Sequence, residues 1–318
     1  MLAEQAGIQT LWASSFPGKR EPLLCLSLLA AQKPDLRMGA VPLSPYETHP
    51  LKMAESLLTL NELSGGKASV TVGGLGHSVM RVTGLTAARR VSAVRDCVNI
   101  IRAVASGEFS NYEGPVYSLF NYQADWLTEP PPVLYVGANG PQMLRMAGAV
   151  ADGVMLSDVP LSRLAEVREH MRAGRESGQL SSAPLRTANF FAWHIKDDKA
   201  EAEAEARMEL IWRGLLQPWH TEPFLGEADA AFVDSKRDAF LQAFLKRTPD
   251  IEGVPEHIIQ SLVDNLTFTG GPDDIERVAE ELNGFAAAGL DEVTLKIHGD
   301  AARAIRLIGE RLLPALSS

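Results

Sequence analysis

The chain has 318 residues, of which 46% are hydrophobic and 22% charged, so it can bury a full-sized core as one barrel or as two smaller domains. Its net charge of −10 would repel nucleic-acid phosphates and anionic lipid, so we expect neither as a partner. Two cysteines, Cys25 and Cys97, are too few for a disulfide framework, and we expect two buried thiols in helices. No signal peptide or membrane-spanning apolar run is visible, which favours a cytoplasmic protein.

Short apolar strands alternate with amphipathic helices along most of the chain. Strands are predicted at residues 8–13, 36–41, 68–72, 133–136, 153–156, 187–193 and 292–297. Parallel strands need a covering helix in each crossover, so this alternation predicts an α/β fold, a (β/α)8 TIM barrel. Seven strands are found where a barrel needs eight, and the first strand is expected to be missing before the first helix. A truncated start is favoured over a barrel that closes in another way.

Two stretches interrupt the alternation and are predicted to be insertions in a single barrel domain over residues 1–318. Residues 108–132 are aromatic and rich in turn residues, and they end in three consecutive prolines. Residues 217–260 mix aromatic and acidic residues and predict a helical excursion. Insertions in barrels often lie over the mouth as lids or substrate walls, and a packing or dimer surface is an equal alternative for each.

The second predicted strand ends at Ala40, Val41 and Pro42, and barrel enzymes place their reacting groups at such strand ends. Proline cannot donate to the sheet ladder, so a break or a bulge is expected at Pro42. A cis peptide bond before Pro42 is one option, and an ordinary strand end is the alternative.

A glycine-rich turn follows the third predicted strand and includes Gly74, Gly76 and His77. Glycine lets a planar ligand or a phosphate approach the backbone closely, although any tight turn can also require it. His77 is a candidate ligand contact, with a surface histidine as the alternative.

A further turn joins a strand to a helix at Gly137, Ala138, Asn139 and Gly140. The free backbone N–H groups and the dipole of a helix N-terminus favour an anion, so a cofactor phosphate is expected there. A plain strand-to-helix turn is the alternative.

Other polar residues near strand ends do not define a reaction. The Ser14-Ser15-Phe16 segment offers hydroxyls, but no spacing makes either serine a nucleophile. The seven histidines show no metal-ligand spacing with acids or cysteines, so no metal site is predicted.

Several motifs in succession resemble the luciferase-like family of flavin- and deazaflavin-dependent oxidoreductases. They cover nearly the whole chain in order: Ser44 to Pro50, Leu60 to Lys67, Tyr112-Glu113-Gly114, Gly140-Pro141, Ala151-Asp152-Gly153, Gly270-Gly271-Pro272 and Ala288 to Glu292. Within the family, the chain is most similar to the methylenetetrahydromethanopterin reductase-like branch, whose members use coenzyme F420 or FMN.

The resemblance implies where the cofactor lies. The isoalloxazine-type ring would rest on the bulge at Ala40, Val41 and Pro42, and the family's cis peptide would correspond to Val41–Pro42. The phosphate end would meet Gly137 and Gly140. The family's usual Asp-His pair falls at Ser15-Phe16 here, so no catalytic acid or base is assigned.

The expected function is hydride transfer between FMN or F420 and a small organic substrate, by a monooxygenase or a reductase. The family resemblance also implies a homodimer. One alternative is a non-catalytic barrel that binds cofactor but has lost turnover, because of the Ser15-Phe16 departure and the missing strand. Another is an unrelated barrel enzyme, such as a phosphate-ester lyase or isomerase.

Overall fold

The protein is described by a computed structural model that covers residues 1–178 and 180–316, apart from the side chains of residues 77 and 78. Its strands are β1 (Thr10–Ser14), β2 (Arg37–Leu43), β3 (Ala68–Val72), β4 (Ser110–Glu113), β5 (Ser118–Tyr122), β6 (Val133–Gly137), β7 (Gly153–Ser157), β8 (Arg186–Ile195), β9 (Thr267–Gly270) and β10 (Glu292–Ile297). The helices of the amino-terminal half are α1 (Leu2–Gln5), α2 (Pro22–Ala30), α3 (Pro50–Ser64), α4 (His77–Thr83), α5 (Arg90–Ala105), α6 (Pro141–Val150) and α7 (Leu161–Ser177). The helices that follow are α8 (Lys199–Glu209), α9 (Pro218–Leu225), α10 (Glu227–Ser235), α11 (Arg237–Lys246), α12 (Glu256–Leu266), α13 (Ile275–Ala287), α14 (Ala301–Leu307) and α15 (Leu313–Ala315).

The chain divides into two compact units, which are described separately. The first unit contains Met1 and residues 3–155 and 169–186. The second contains Leu2, residues 156–168 and the chain from Thr187 onward.

The first unit is built on a parallel sheet in which β1, β2, β3, β6 and β7 are successive neighbours. Strand β3 is buried at all five positions, since it has strands on both edges and helices such as α3 and α5 packed against it. A continuous apolar or β-branched run is typical of a strand buried on both faces. Strands β4 and β5 form a separate antiparallel hairpin.

The second unit contains β8, which pairs in parallel with both β9 and β10. Phe191 of β8 contacts Phe268 and Phe285, with ring centroids 4.9 and 5.0 Å apart. The segment predicted as a helical excursion is helical, with α9, α10, α11 and the start of α12. It packs on an apolar cluster that includes Val233 and Phe240.

All seven predicted strands are present, and the structure adds three that the sequence analysis missed. Strand β9 has only four residues and follows α12 directly, so no turn residue marks its start. The β4–β5 hairpin is short, polar and partly exposed, so its sequence shows no clear alternation of apolar and polar residues. Within residues 1–178 and 180–316, no strand precedes α1.

The prediction of two buried thiols is right for Cys97 and wrong for Cys25, which is exposed. Both lie in helices, but α2 is apolar all around, so its sequence does not show which side faces the core. Leu24 and Leu28 on the same helix are 70% and 76% exposed.

Candidate functional site

The three segments singled out in the sequence lie at one edge of the first unit's sheet. Strand β3 lies between β2 and β6, with Val72 opposite both Leu43 and Val136 in the parallel register. The carboxyl ends of these strands therefore lie side by side. The residues that follow them, from Gly73 and from Gly137 onward, start at the same edge as Pro42, where open α/β sheets bind ligands.

Strand β2 carries the bulge that was expected at Pro42. Ala40 pairs with Val70 and Leu43 with Val72, so Val41 and Pro42 together stand opposite one residue of β3. Val41 is buried whereas Pro42 is exposed at the sheet edge. A β-bulge re-aims the chain and raises its local twist, and such bulges often occur beside active sites.

The cis peptide implied for Val41–Pro42 is not present, since the described part of the chain contains only trans peptide bonds. The trans form is the lower in free energy even before proline, and the extra residue of the bulge turns the chain without a cis bond.

Gly73 packs closely against Pro42. A Cβ on Gly73 would lie 2.9 Å from the Cβ of Pro42, so only glycine fits beside this proline without a shift.

The glycine-rich turn after β3 leads into α4. Leu75 has a positive φ of 59°, and Gly76 is the N-cap of α4 with no side-chain capping bond. A Cβ on Gly74 would meet Met143 of α6 at 3.4 Å, which places this turn against the start of α6. The side chain of His77 is outside the described part of the structure, so its predicted ligand contact stays a prediction.

The turn after β6 opens onto free space. The Ala138 N–H donates to the Met155 carbonyl at 3.1 Å, which ties this turn to the neighbouring strand β7. Asn139 follows, and Gly140 is the N-cap of α6 without a side-chain capping bond. A Cβ at Gly140 would have no neighbour within 4 Å, so a ligand can approach this backbone closely.

An open cleft of about 760 Å³ adjoins this turn. It is lined by the starts of two helices, through Arg89, Arg90, Val91, Ser92, Gly140, Pro141, Gln142 and Met143. Neither α5 nor α6 has a side-chain cap on its first N–H groups. Two helix N-termini at one cleft concentrate positive potential and hydrogen-bond donors, and both favour an anion.

Arg90 adds a charge that no carboxylate neutralises. Its Nε is buried without a hydrogen-bond partner, and its Nη2 reaches only the Met80 sulfur at 3.5 Å. Among the described side chains, none forms an ion pair with it. A buried guanidinium nitrogen without a partner is costly, so a bound anion would stabilise this side chain.

The sequence analysis missed the cleft residues on α5. Arg89 and Arg90 come directly before Val91, the first apolar residue of that helix's pattern. Two basic residues at a helix start oppose the dipole, and this unfavourable placement was the available signal.

Ser15 and Phe16, which stand where the family usually has an Asp-His pair, also lie beside this edge. The Ser15 N–H donates to the Val41 carbonyl at 2.8 Å, so Ser15 follows β1 next to the bulge. Phe16 is 44% exposed. Neither residue can accept or release a proton near neutral pH, so this segment offers no acid or base.

Several motif residues have structural roles at the opposite ends of the strands. The Asp152 carboxylate accepts the Leu134 N–H at 2.9 Å and pairs with Arg102 at 2.8 Å. The Asn61 side chain, which is buried, bridges the Pro130 carbonyl and the Ala68 N–H. These contacts fix where β3 and β6 begin.

The fold is that of an α/β protein, with a candidate ligand site at the carboxyl ends of parallel strands. The family model described as luciferase-like monooxygenase matches residues 1–292. The chain belongs to the luciferase-like monooxygenase family.

The relatives include both reductases and oxygenases. The 5,10-methylenetetrahydromethanopterin reductase of Archaeoglobus fulgidus is 26% identical over 99% of this chain and 93% of its own length. The F420-dependent tetrahydromethanopterin reductase of Methanopyrus kandleri has a TM-score of 0.78 at 19% identity, covering 99% of this chain and 93% of that one. An FMN complex of a type II Baeyer–Villiger monooxygenase from Pseudomonas putida has a TM-score of 0.65 at 18% identity, covering 99% and 91%.

These comparisons confirm the predicted family, the (β/α)8 fold class and an oxidoreductase activity that depends on FMN or F420. They do not address the individual site residues. No helix among the described residues is long and apolar enough to cross a membrane.

Proposed function

We propose that this chain is an F420-dependent reductase or dehydrogenase that transfers hydride between the deazaflavin and a small organic substrate. The observation that carries the proposal is the anion cleft, where Arg90 and the uncapped starts of α5 and α6 come together. The F420 dependence printed for the Methanopyrus kandleri reductase supports F420 over FMN.

The residues of the sheet edge fit a phosphorylated planar cofactor. Gly137, Ala138, Asn139 and Gly140 would hold the phosphate together with Arg90, because this backbone is open and the buried guanidinium nitrogen is unpartnered. The bulge at Ala40, Val41 and Pro42 and the turn with Gly74, Gly76 and His77 would hold the ring. When bound, the cofactor supplies the hydride chemistry.

The chain's own side chains do the positioning. Pro42 presents a rigid apolar surface at the edge, and Gly73 keeps it in place by leaving room for its ring. Arg90 and the first turns of α5 and α6 would hold the phosphate of the cofactor, and this would fix the position of its ring in the site. Coenzyme F420 carries carboxylates beyond its phosphate, and the open end of the cleft leaves space for such a tail.

The first experiment is an equilibrium titration of the purified chain with F420 and with FMN, followed by fluorescence. We expect F420 to bind and Arg90→Met to weaken binding by about 10- to 100-fold, since a hydrogen bond to a charged group contributes about 1.5–3 kcal/mol. The control is Arg306→Met, which makes the same charge change at an exposed arginine of the second unit.

The outcomes separate the function from the site. Binding of neither cofactor would refute the proposal, and FMN binding alone would favour the oxygenase branch. Cofactor binding that Arg90→Met leaves unchanged would keep the function and refute the phosphate site. Binding of reduced cofactor without oxidation by any carbonyl substrate would favour the non-catalytic barrel, which the Ser15-Phe16 departure motivates.

The remaining predictions are carried forward as proposals. We propose a cytoplasmic homodimer of single barrel domains, acting on a small-molecule substrate. The exposed apolar side chains of Leu24 and Leu28 on α2 support an association surface. Light scattering of the native chain and of Leu28→Lys tests the dimer, which the substitution should dissociate.

A further inference from the structure

Two histidines and a glutamate come together in the second unit, far from each other in the sequence. His194 lies near the end of β8, His298 directly follows β10, and Glu205 lies on α8. One ligand atom from each of the three side chains lies within 4.8 Å of the others. Strands β8 and β10 are parallel neighbours, so their carboxyl ends bring the two imidazoles to one place.

The imidazoles have unused nitrogen atoms. The rings of His194 and His298 stack with centroids 4.2 Å apart, and the Nε2 atom of each is buried without a hydrogen-bond partner. His194 is fully buried and uses only Nδ1, which lies 2.8 Å from a Glu205 carboxylate oxygen. Buried polar atoms of native proteins nearly always have partners, so unpaired nitrogens on two stacked rings point to a missing ligand.

The protonation states suit a metal ion. Burial lowers the pKa of His194, and burial together with nearby cations lowers the pKa of His298 to about 2. Burial would raise the pKa of Glu205, but hydrogen bonds from His194 and Lys196 lower it overall.

The surrounding charges leave a net negative site. Each cation near the imidazoles is already paired with a carboxylate: Lys196 with Glu201 and Glu205, Lys296 with Glu209, and Arg213 with Asp158. Four carboxylates therefore face three cations. Lys196 bonds the Glu205 oxygen that does not contact His194, as an outer partner that orients a ligating carboxylate would.

A cleft of about 250 Å³ adjoins the cluster, with His298 in its lining. Its lining includes the carboxylates of Asp197, Asp198, Glu201 and Asp300, against the cations Lys196 and Arg303. An excess of acidic side chains attracts cations to such a mouth.

We propose that His194, Glu205 and His298 bind a divalent transition-metal ion, with Zn²⁺ as the ion of choice. Two imidazoles and one carboxylate with an open position are a known ligand set for Zn²⁺ and for non-haem Fe²⁺. The sequence analysis predicted no metal site, because ligands on two separate strands and a helix leave no short spacing to recognise.

The test uses the full-length chain stripped with EDTA and titrated with Zn²⁺ against a chromogenic chelator. We expect one Zn²⁺ per chain, and Co²⁺ in its place should give the visible absorption of an ion bound by imidazole. His298→Ala should weaken Zn²⁺ binding at least ten-fold, because it removes one of three ligands. The matched control is His257→Ala, since His257 is an exposed histidine of the same unit.

His298 is the better position to mutate, because it is only partly buried, whereas loss of the fully buried His194 can unfold the chain. Glu205→Gln is the second variant, and it should also weaken Zn²⁺ binding while circular dichroism stays native. The proposal is overturned if the stripped chain binds no stoichiometric Zn²⁺, or if His298→Ala binds it as tightly as the native chain.

Discussion

Three buried histidines should make the second unit sensitive to acid. His194, His220 and His298 all have a pKa lowered from the usual value of 6.5, in each case chiefly by burial. His220 is fully buried, and neither ring nitrogen has a hydrogen-bond partner. The folded state therefore keeps these rings neutral to lower pH than the unfolded chain, in which they take up protons below about pH 6.5.

The sign of the effect follows from this difference in proton binding. Well above pH 6.5, both states are almost fully deprotonated at these sites, and the histidines contribute little to the pH dependence. As the pH falls below 6.5, the unfolded state binds more protons, so the free energy of unfolding decreases. His298, with a pKa of about 2, should lower the free energy of unfolding by about 1.4 kcal/mol between pH 7.5 and pH 5.5, and the lowered pKa values of His194 and His220 act in the same direction.

The assay is urea unfolding at pH 7.5 and 5.5 in the presence of EDTA, so that no metal contributes. Calorimetry in buffers of different ionisation enthalpy then counts the protons taken up on unfolding. His220→Asn should take up fewer protons on unfolding at pH 5.5 than the native chain and should lose part of the pH dependence. The exposed His257→Asn is the control and should behave as the native chain. Equal stability at the two pH values, or equal proton uptake in His220→Asn, would refute the reasoning.

Two further predictions concern packing and polar contacts in the first unit. Gly174→Ala should lower the free energy of unfolding, measured in urea, by at least about 3 kcal/mol, because the new Cβ would lie 1.9 Å from the backbone oxygen of Arg145. The control is Gly284→Ala, whose Cβ would meet only the end of a leucine side chain and which should change the stability little. Equal midpoints for these two variants would contradict the close helix contact. Asp96→Asn should lower the free energy of unfolding by about 2–3 kcal/mol, because the fully buried carboxylate accepts hydrogen bonds from Tyr112, Val116 and Tyr117, and a neutral amide would replace these charge-assisted bonds by weaker ones. The exposed Asp264→Asn is its control, and a loss no larger than that of the control would show that these bonds contribute little.

Periodicity predicted the sheet because its strands are apolar and bounded by turn residues, as in Ala68–Val72 with glycines on both sides. It failed for Thr267–Gly270, where the strand continues directly from a helix and its pairing with β8 is the only thing that defines it. The bulge at Pro42 was predictable, since proline cannot donate to the ladder. The cis bond implied by the resemblance was wrong, because the bulge already re-aims the chain.

The candidate sites show the same division between local and long-range information. The glycine turns after β3 and β6 were visible because backbone conformation is a local property. Arg90 was missed because its significance depends on the start of α6, some fifty residues further along the chain. The His194–His298 cluster depends on the pairing of β8 with β10, which no spacing in the sequence encodes.

The resemblance identified the family without identifying the substrate, and the structure gives a physical reason. Asp152 and Asn61, which belong to the quoted motifs, hold the starts of β6 and β3 through backbone N–H groups. Contacts at the amino ends of barrel strands stabilise the fold, whereas ligands bind at the carboxyl ends. At the carboxyl ends of this sheet, the candidate site of the first unit consists largely of backbone groups and glycines, which in the proposed function would hold a phosphate and a ring without discriminating between substrates. Substrate choice must therefore depend on side chains outside the motifs, and this is why the motifs alone define an oxidoreductase and leave its substrate open.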